Sequence, residues 1–282
     1  MKIIDLLDDR SVLLDGRVAD KKAALDQMVE LMDASGKLRD KETYRQGVYA
    51  REQEGSTGIG EGIAIPHCKS DAVIKPGLAA MVVKDGVEFE SLDGQPAHLF
   101  FLIAAPNTED NVHLDVLSRL SVLLMDEDFT NKLRQATSVS EFKQIIEEAE
   151  KSSENEGDTA VERADSEHYI VAVTGCPTGI AHTYMAAEAL EKAGKKLGIS
   201  IKVETNGSGG AKNILTDREI AECDGIIVAA DKSVEMARFN GKKVLSTKVS
   251  DGIKIPEELI GRIEKGDAPV YHHEGGAASS SS

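Results

Sequence analysis

Basic residues are in short supply: the 282-residue sequence carries 33 Lys and Arg against 49 Asp and Glu, a formal net charge of −16. A surface that acidic repels phosphate backbones and anionic lipid, which argues against nucleic acid as a partner. Cysteine is scarce too, with residues at 68, 176 and 223 only, widely spaced and without a C-x-x-C pair. Neither a disulfide framework nor a zinc finger can be built from them, and the pattern suits a reducing, intracellular setting. Also missing is any apolar run of roughly 18 residues or more. The opening MKIIDLLDDR places charge where a signal peptide needs its apolar core, so the chain is expected to be soluble.

What is present is enough chain for two domains, since single domains most often run to about 100 to 150 residues. The boundary falls in EEAEKSSENEGDTAVERADSE (147–167), which has nine acidic residues, two basic ones and one large aliphatic, Val161. Such a stretch cannot bury enough to fold. We therefore expect a first domain over 1–150, an acidic flexible linker over 151–167, a second domain over 168–267, and a flexible tail over 268–282 ending in GGAASSSS. A coil of the linker's length has a root-mean-square span of roughly 20 to 25 Å, enough to let sites on the two domains meet at an effective concentration on the order of millimolar.

In the first domain, AALDQMVELMDASG sets Leu25, Met28, Val29 and Met32 on one helical face, and DKETYRQGVYAREQE reads as a second helix. LAAMVVKDG, VEFESLDG and AHLFFLIAAP predict three strands separated by turns at Lys84-Asp85-Gly86 and Asp93-Gly94. Three more helices follow, giving an α/β domain with helices packed on a mixed sheet. The glycine-punctuated run Ser56 to Gly62 leads into Ile65-Pro66-His67-Cys68. A metal ligand, a redox pair, a catalytic base and a group carrier all remain open for His67 on local residues alone.

The second domain alternates strand and helix: YIVAVTG, a helix within CPTGIAHTYMAAEALEKAGKKLG with Pro177 near its first turn, ISIKVETNG, a helix opened by the capping box Thr216 to Glu219, GIIVAA, a further helix, KVLST, and PEELIGRIEK. This predicts a small doubly wound parallel sheet, in which ligands gather at the carboxyl ends of strands. Cys176 stands at such an end, in the segment Cys176-Pro177-Thr178-Gly179-Ile180-Ala181-His182-Thr183. Backbone N–H groups, the hydroxyls of Thr178 and Thr183, and the helix dipole can converge there on an anion and stabilise a thiolate. A Cys-x5-Arg phosphatase clamps phosphoryl oxygens with arginine; here that position holds His182, so the loop suits a phosphocysteine and not phosphatase turnover.

TGCPTGIAHTYMAAEAL, IKVETNGSGG and IIVAADKSVEMARF closely resemble the enzyme IIB domain of the fructose branch of the bacterial phosphoenolpyruvate-dependent sugar phosphotransferase system. STGIGEGIAIPH resembles the phosphorylation site of the mannitol and fructose class of enzyme IIA domains. The resemblance implies a relay: the phosphocarrier protein HPr phosphorylates His67, His67 passes the group to Cys176, and Cys176 passes it to the 1-hydroxyl of fructose, giving fructose 1-phosphate, as a membrane enzyme IIC moves the sugar. It implies that Arg51 and His113 assist at His67, that residues 177 to 183 cradle the group on Cys176, that no cofactor is needed, and that the protein works in the cytoplasm at the inner face of the membrane. For the chemistry at His67, one imidazole nitrogen must be the nucleophile while the other donates to a carbonyl. A metal at His67, Cys68 and His113 is disfavoured, because adjacent residues serve one tetrahedral site poorly and no further ligands cluster. Cys68 and Cys223 read as packing residues, and His98, His168, His272 and His273 match no motif. A phosphorylation-sensing regulator, or the same relay for mannitol or another sugar, is the alternative.

Overall fold

The computed structural model describes residues 1–108, 112–156, 168–177, 181–207 and 209–273. The chain divides into two compact units, Met1–Thr159 and Ala160–Ser282.

The first unit opens with a short helix α1 (Ile3–Leu6) and strand β1 (Leu7–Leu13), neither of which is evident from the sequence pattern. Helices α2 (Lys21–Ala34) and α3 (Lys41–Glu54) follow, their N-termini capped by the carboxylates of Asp20 and Asp40. Then come β2 (Gly58–Gly60), β3 (Ile63–Ala64), β4 (His67–Ser70), β5 (Gly77–Val87), β6 (Ala97–Pro106), α4 (Val112–Leu123), α5 (Glu127–Gln135) and α6 (Val139–Glu156). The sheet order is β1-β5-β6-β3-β2, with β4 continuing the line of β3 along β6. Parallel and antiparallel pairs coexist, as the mixed-sheet expectation required. One face carries α2 and α3 over Met28, Met32, Phe100 and Leu102. On the other, Phe101 of β6 packs on Phe142 of α6.

Two expectations for this unit fail. The three predicted strands are two: β5 runs through Lys84-Asp85-Gly86, where the pairing with β6 shifts register and Gly86 has φ +73°. A left-handed glycine serves a bulge as readily as a hairpin turn. Most of VEFESLDG is loop, pinned by buried Phe89 standing edge-on to Phe100 at 5.4 Å. The linker was expected to be coil from residue 151, but α6 continues to Glu156; residues 157–167 lie outside the described residues.

The second unit comprises β7 (Tyr169–Gly175), α7 (His182–Leu197), β8 (Ser200–Gly207), β9 (Gly210–Lys212), α8 (Asp217–Glu222), β10 (Gly225–Ala230), β11 (Val244–Thr247), α9 (Val249–Lys254) and α10 (Pro256–Glu264), with one 3-10 turn at Ala237–Phe239. Its order is β11-β10-β7-β8-β9, parallel except for the β8–β9 hairpin. Leu190 of α7 with Leu259, Ile260 and Ile263 of α10 covers one face, while Ile220 of α8 and Phe239 cover the other, so the sheet is wound on both sides. Helix α7 stops at Gly198, which takes φ +72° as a left-handed C-cap.

Here too the sequence reading is corrected in places. Pro177 precedes α7 by several residues and is not in its first turn. The helix expected between GIIVAA and KVLST is only the 3-10 turn, and α9 and β9 went unpredicted. The tail, expected to be loose from residue 268, is packed as far as the fold is described. Ala268 is buried, and Pro269 and Tyr271 exchange backbone hydrogen bonds with Val244, Lys242 and Gly241 along the free edge of β11. Among the described residues no helix is long and apolar enough to cross a membrane.

Candidate functional site

The glycine-rich run before His67 is a hairpin. Glu61 and Gly62, between β2 and β3, have φ +55° and +73°, the left-handed pair that a tight hairpin turn demands. Asp93 Oδ2 accepts from the Glu61 N–H at 2.9 Å, and Arg134 of α5 donates to the Glu61 carbonyl. At the other end of the run, buried Glu52 accepts from the N–H and hydroxyl of Thr57 at 2.8 and 2.6 Å and pairs with Lys21 at 3.1 Å. This clamp ties the hairpin to the last turn of α3. The sequence reading missed it, since nothing in the spacing marks Glu52 as buried.

His67 opens β4 and is 1% exposed. Its Nδ1 lies 2.7 Å from the Ile65 carbonyl. A carbonyl only accepts, so Nδ1 carries the proton in this bond, and in the neutral ring the nucleophilic lone pair is on Nε2. The direction of the side chain follows from strand alternation. Cys68 faces α3: a Cβ built on Gly47 would lie 2.6 Å from its Sγ. His67, paired with Ile103, therefore projects to the opposite face, the one where Phe101 meets α6. Burial pushes the Cys68 thiol up to about 11, which suits packing and not thiolate chemistry.

Arg51 lies in the last turn of α3 and donates from Nη1 to the Gly55 carbonyl at 3.0 Å. Its Nε is buried without a hydrogen-bond partner among the described residues. A buried guanidinium nitrogen lacking an acceptor is one that an anion can satisfy. His113 falls in the first turn of α4, but its side chain lies outside the described residues. His98 is in β6, His168 just precedes β7, and His272 and His273 follow the β11 edge segment.

In the second unit, Cys176 directly follows β7, whose neighbours are β8 on one side and β10 on the other. The chain order reverses there, which opens the crevice in which such sheets bind ligands. The thiol is 1% exposed and packs with Ala186 of α7 and Val249 of α9. Thr183, in the first turn of α7, serves both ends of the cysteine. Its Oγ1 accepts from the Cys176 N–H at 2.9 Å and donates to Sγ at 3.2 Å. Thr174 in turn donates to the Thr183 carbonyl at 2.8 Å, fixing that turn against β7. The Thr183 hydroxyl thus points at the sulfur from the N-terminal end of α7, the end of a helix dipole that attracts negative charge. The N-cap, Ala181, offers no side-chain acceptor of its own, and buried His182 is the first helical residue. Pro177 is exposed beside Cys176; Thr178, Gly179 and Ile180 lie outside the described residues. Cys223 packs below Ile226 and Val228 with its thiol on the Ile220 carbonyl, as a structural cysteine would.

Over residues 5–149 the chain matches the family described as phosphoenolpyruvate-dependent sugar phosphotransferase system, EIIA 2. The chain belongs to that family. Residues 171–262 of this EIIA-family chain also match the family described as PTS system, lactose/cellobiose specific IIB subunit, so the phosphotransferase-system assignment covers both units. Along 98% of its length the chain is 49% identical to the PTS system fructose-specific EIIABC component of Bacillus subtilis, covering 44% of that protein. It is 34% identical over 92% of its length to the 2-O-alpha-mannosyl-D-glycerate-specific EIIABC component of Escherichia coli, covering 39% of it. The chain thus spans less than half the length of these relatives. Among solved structures, a domain of fruA from Bacillus subtilis is 57% identical, with a TM-score of 0.35, covering 36% of this chain and 99% of that one.

Proposed function

We propose that the chain is a two-step phosphoryl relay of the sugar phosphotransferase system, from phospho-HPr to His67, from His67 to Cys176, and from Cys176 to fructose carried by a membrane enzyme IIC. The reading rests on each unit holding one nucleophile in its working form: an imidazole whose Nδ1 is committed to the Ile65 carbonyl, and a thiol whose sulfur receives the Thr183 hydroxyl. In the first step Nε2 of His67 attacks phosphorus, and the phosphohistidine nitrogen of HPr leaves with its electron pair. In the second, the Cys176 thiolate forms an S–P bond as the N–P bond on His67 breaks. In the third, the 1-hydroxyl of fructose attacks, the thiolate departs, and the hydroxyl proton is released. Arg51, through its unsatisfied Nε, and His113, at the start of α4, would offset the charge on the group at His67. The segment from Pro177 to Thr183 would do so at Cys176, with Thr183 supporting the thiolate between transfers.

Fructose is favoured over other sugars by the higher identity to the relative named for it, 49% against 34%. An acidic stretch between the units, its first residues helical in α6, would let the two nucleophiles meet without a permanent interface. The protein would act in the cytoplasm, at the membrane face where the enzyme IIC lies. Labelled phosphoenolpyruvate, enzyme I and HPr test the reading when the label is mapped. His67→Ala should leave both units dark, and Cys176→Ser should leave only the first labelled. Label reaching Cys176 in the His67→Ala chain would refute the order.

A further inference from the structure

A carboxylate is costly to bury unless it is paired and hydrogen-bonded, so the place where a fold buries one is informative. Glu52, in the last turn of α3, is such a group, its side chain 5% exposed. It accepts from the Thr57 N–H at 2.8 Å and from the Thr57 hydroxyl at 2.6 Å, and Lys21 pairs with it at 3.1 Å. Besides closing the hairpin, these bonds lead on to His67. The Thr57 carbonyl accepts from the Ile65 N–H at 3.0 Å, and the Ile65 carbonyl is the acceptor 2.7 Å from His67 Nδ1. The carboxylate, Thr57, Ile65 and the imidazole thus stand in one hydrogen-bonded line.

The chain next to the imidazole is held from two sides. Pro66 has no N–H to give, and its carbonyl accepts from Ile103 of β6 at 3.0 Å. Ile65 is tied to α3 through Thr57 and Glu52. The same turn of α3 carries Arg51, whose Nη1 donates to the Gly55 carbonyl, while the Gly55 N–H bonds to the Glu52 carbonyl at 3.3 Å. Glu52 therefore stands where the Arg51 turn and the His67 hairpin join. A buried ion pair adds little net stability over an apolar pair of similar volume, but its directional bonds hold a narrower range of geometries. That narrowness matters where a misplacement of about 1 Å can cost about 100-fold in rate.

We propose that Glu52 is a positioning residue of the first site, fixing through Thr57 and Ile65 the orientation of the His67 ring and with it the aim of Nε2. This rests on the first step of the relay reading, in which Nε2 forms its bond to phosphorus as the phosphohistidine nitrogen of HPr leaves with its electron pair. Glu52 exchanges no proton in that step. Being buried, it offers HPr no surface, so its loss falls on the rate of transfer and not on docking.

The test follows label from phospho-HPr onto His67 in the full chain by rapid quench, and observes the His67 ring nitrogens by NMR on histidine-labelled protein. Glu52→Met keeps a side chain of similar length and removes both acceptors; Glu52→Gln keeps an acceptor oxygen. The final label counts folded molecules, and the rate constant reports each of them. We expect Glu52→Met to transfer at a maximal rate about tenfold lower, with the HPr concentration for half-maximal rate unchanged. Its neutral His67 ring should no longer be held in the single Nδ1-protonated form. Glu52→Gln should recover most of the rate. If Glu52→Met does not fold, Thr57→Val, which removes only the hydroxyl bond, should show the same pattern with a loss of about threefold, and Thr57→Ser should restore it. A parental rate constant, or a slower one with parental ring-nitrogen signals, would overturn the role of Glu52 and leave the relay standing. A parent chain whose His67 takes no label overturns the relay, and with it the positioning role.

Discussion

Replacing Thr183 by valine keeps the shape of the side chain and removes the one oxygen that serves both the N–H and the sulfur of Cys176. Two losses follow. A hydrogen bond to a charged group contributes about 1.5 to 3 kcal/mol, which the Cys176 sulfur forfeits in the anionic form that attacks. Sulfur relieved of that bond is intrinsically the better nucleophile, which offsets part of the loss. With a Brønsted slope of about 0.4 to 0.5 the net loss in thiol–disulfide exchange is only about 4- to 20-fold. The buried N–H of Cys176 also loses its Thr183 acceptor, a hydrogen bond contributing about 0.5 to 1.5 kcal/mol. For a unit of this size each kcal/mol lowers the melting temperature by roughly 4 to 8 °C. The assay is exchange with a small disulfide in mildly acidic buffer, with peptide mass assigning the modified cysteine, alongside thermal unfolding. Thr183→Ser retains both bonds and should behave like the parent in exchange. If Thr183→Val exchanged at the parental rate, the hydroxyl would not support the thiolate and the reasoning would fail.

The same unit carries a buried ion pair with a pH signature. Burial pushes the Glu204 carboxyl upward, but the two-pronged Arg238 guanidinium, the Leu215 N–H and the Asn206 amide outweigh it and hold it below its ordinary 4.5. A carboxyl lowered on folding stabilises above its unfolded titration and loses that contribution as pH falls through the folded one. Unfolding of the second unit should therefore ease on acidification below about 4.5, and Glu204→Gln should flatten that slope. Arg238→Met, by stranding the buried carboxylate, should cost about 3 to 5 kcal/mol in urea unfolding at neutral pH. In the first unit, Gly47→Ala drives a Cβ to 2.6 Å from Cys68 Sγ. The overpacking cost of about 1 to 3 kcal/mol should exceed the helical gain of about 1, and Cys68→Ala should restore stability in the double variant.

Both candidate nucleophiles are legible in the sequence, for different reasons. Cys176 was reached by physics alone, because a short apolar strand, a loop and a long amphipathic helix fix where a strand end must lie. His67 could not be. Its local residues allowed several chemistries, and its working geometry depends on a carbonyl two residues upstream, held by pairing with β6 far along the chain. Gly86 misled because a left-handed glycine signals either a turn or a bulge, and only the partner strand decides. Strand β9 is three exposed residues with no apolar alternation to read. Glu52 was illegible because its burial comes from a neighbour outside its own helix, Thr57, which no spacing in the sequence marks.

The segment at Pro269 to Tyr271 lies along β11, the outermost strand on its side of the parallel sheet. An uncovered strand there would offer a template for a second molecule. Cutting the chain after Asp267 would strip that cover and remove the buried Ala268 as well. A second unit produced with that boundary is therefore expected to self-associate with rising concentration, while one extended through His273 stays monomeric, a difference that sedimentation would read directly. The segment from Pro269 to Tyr271 thus acts as a guard against edge-to-edge aggregation.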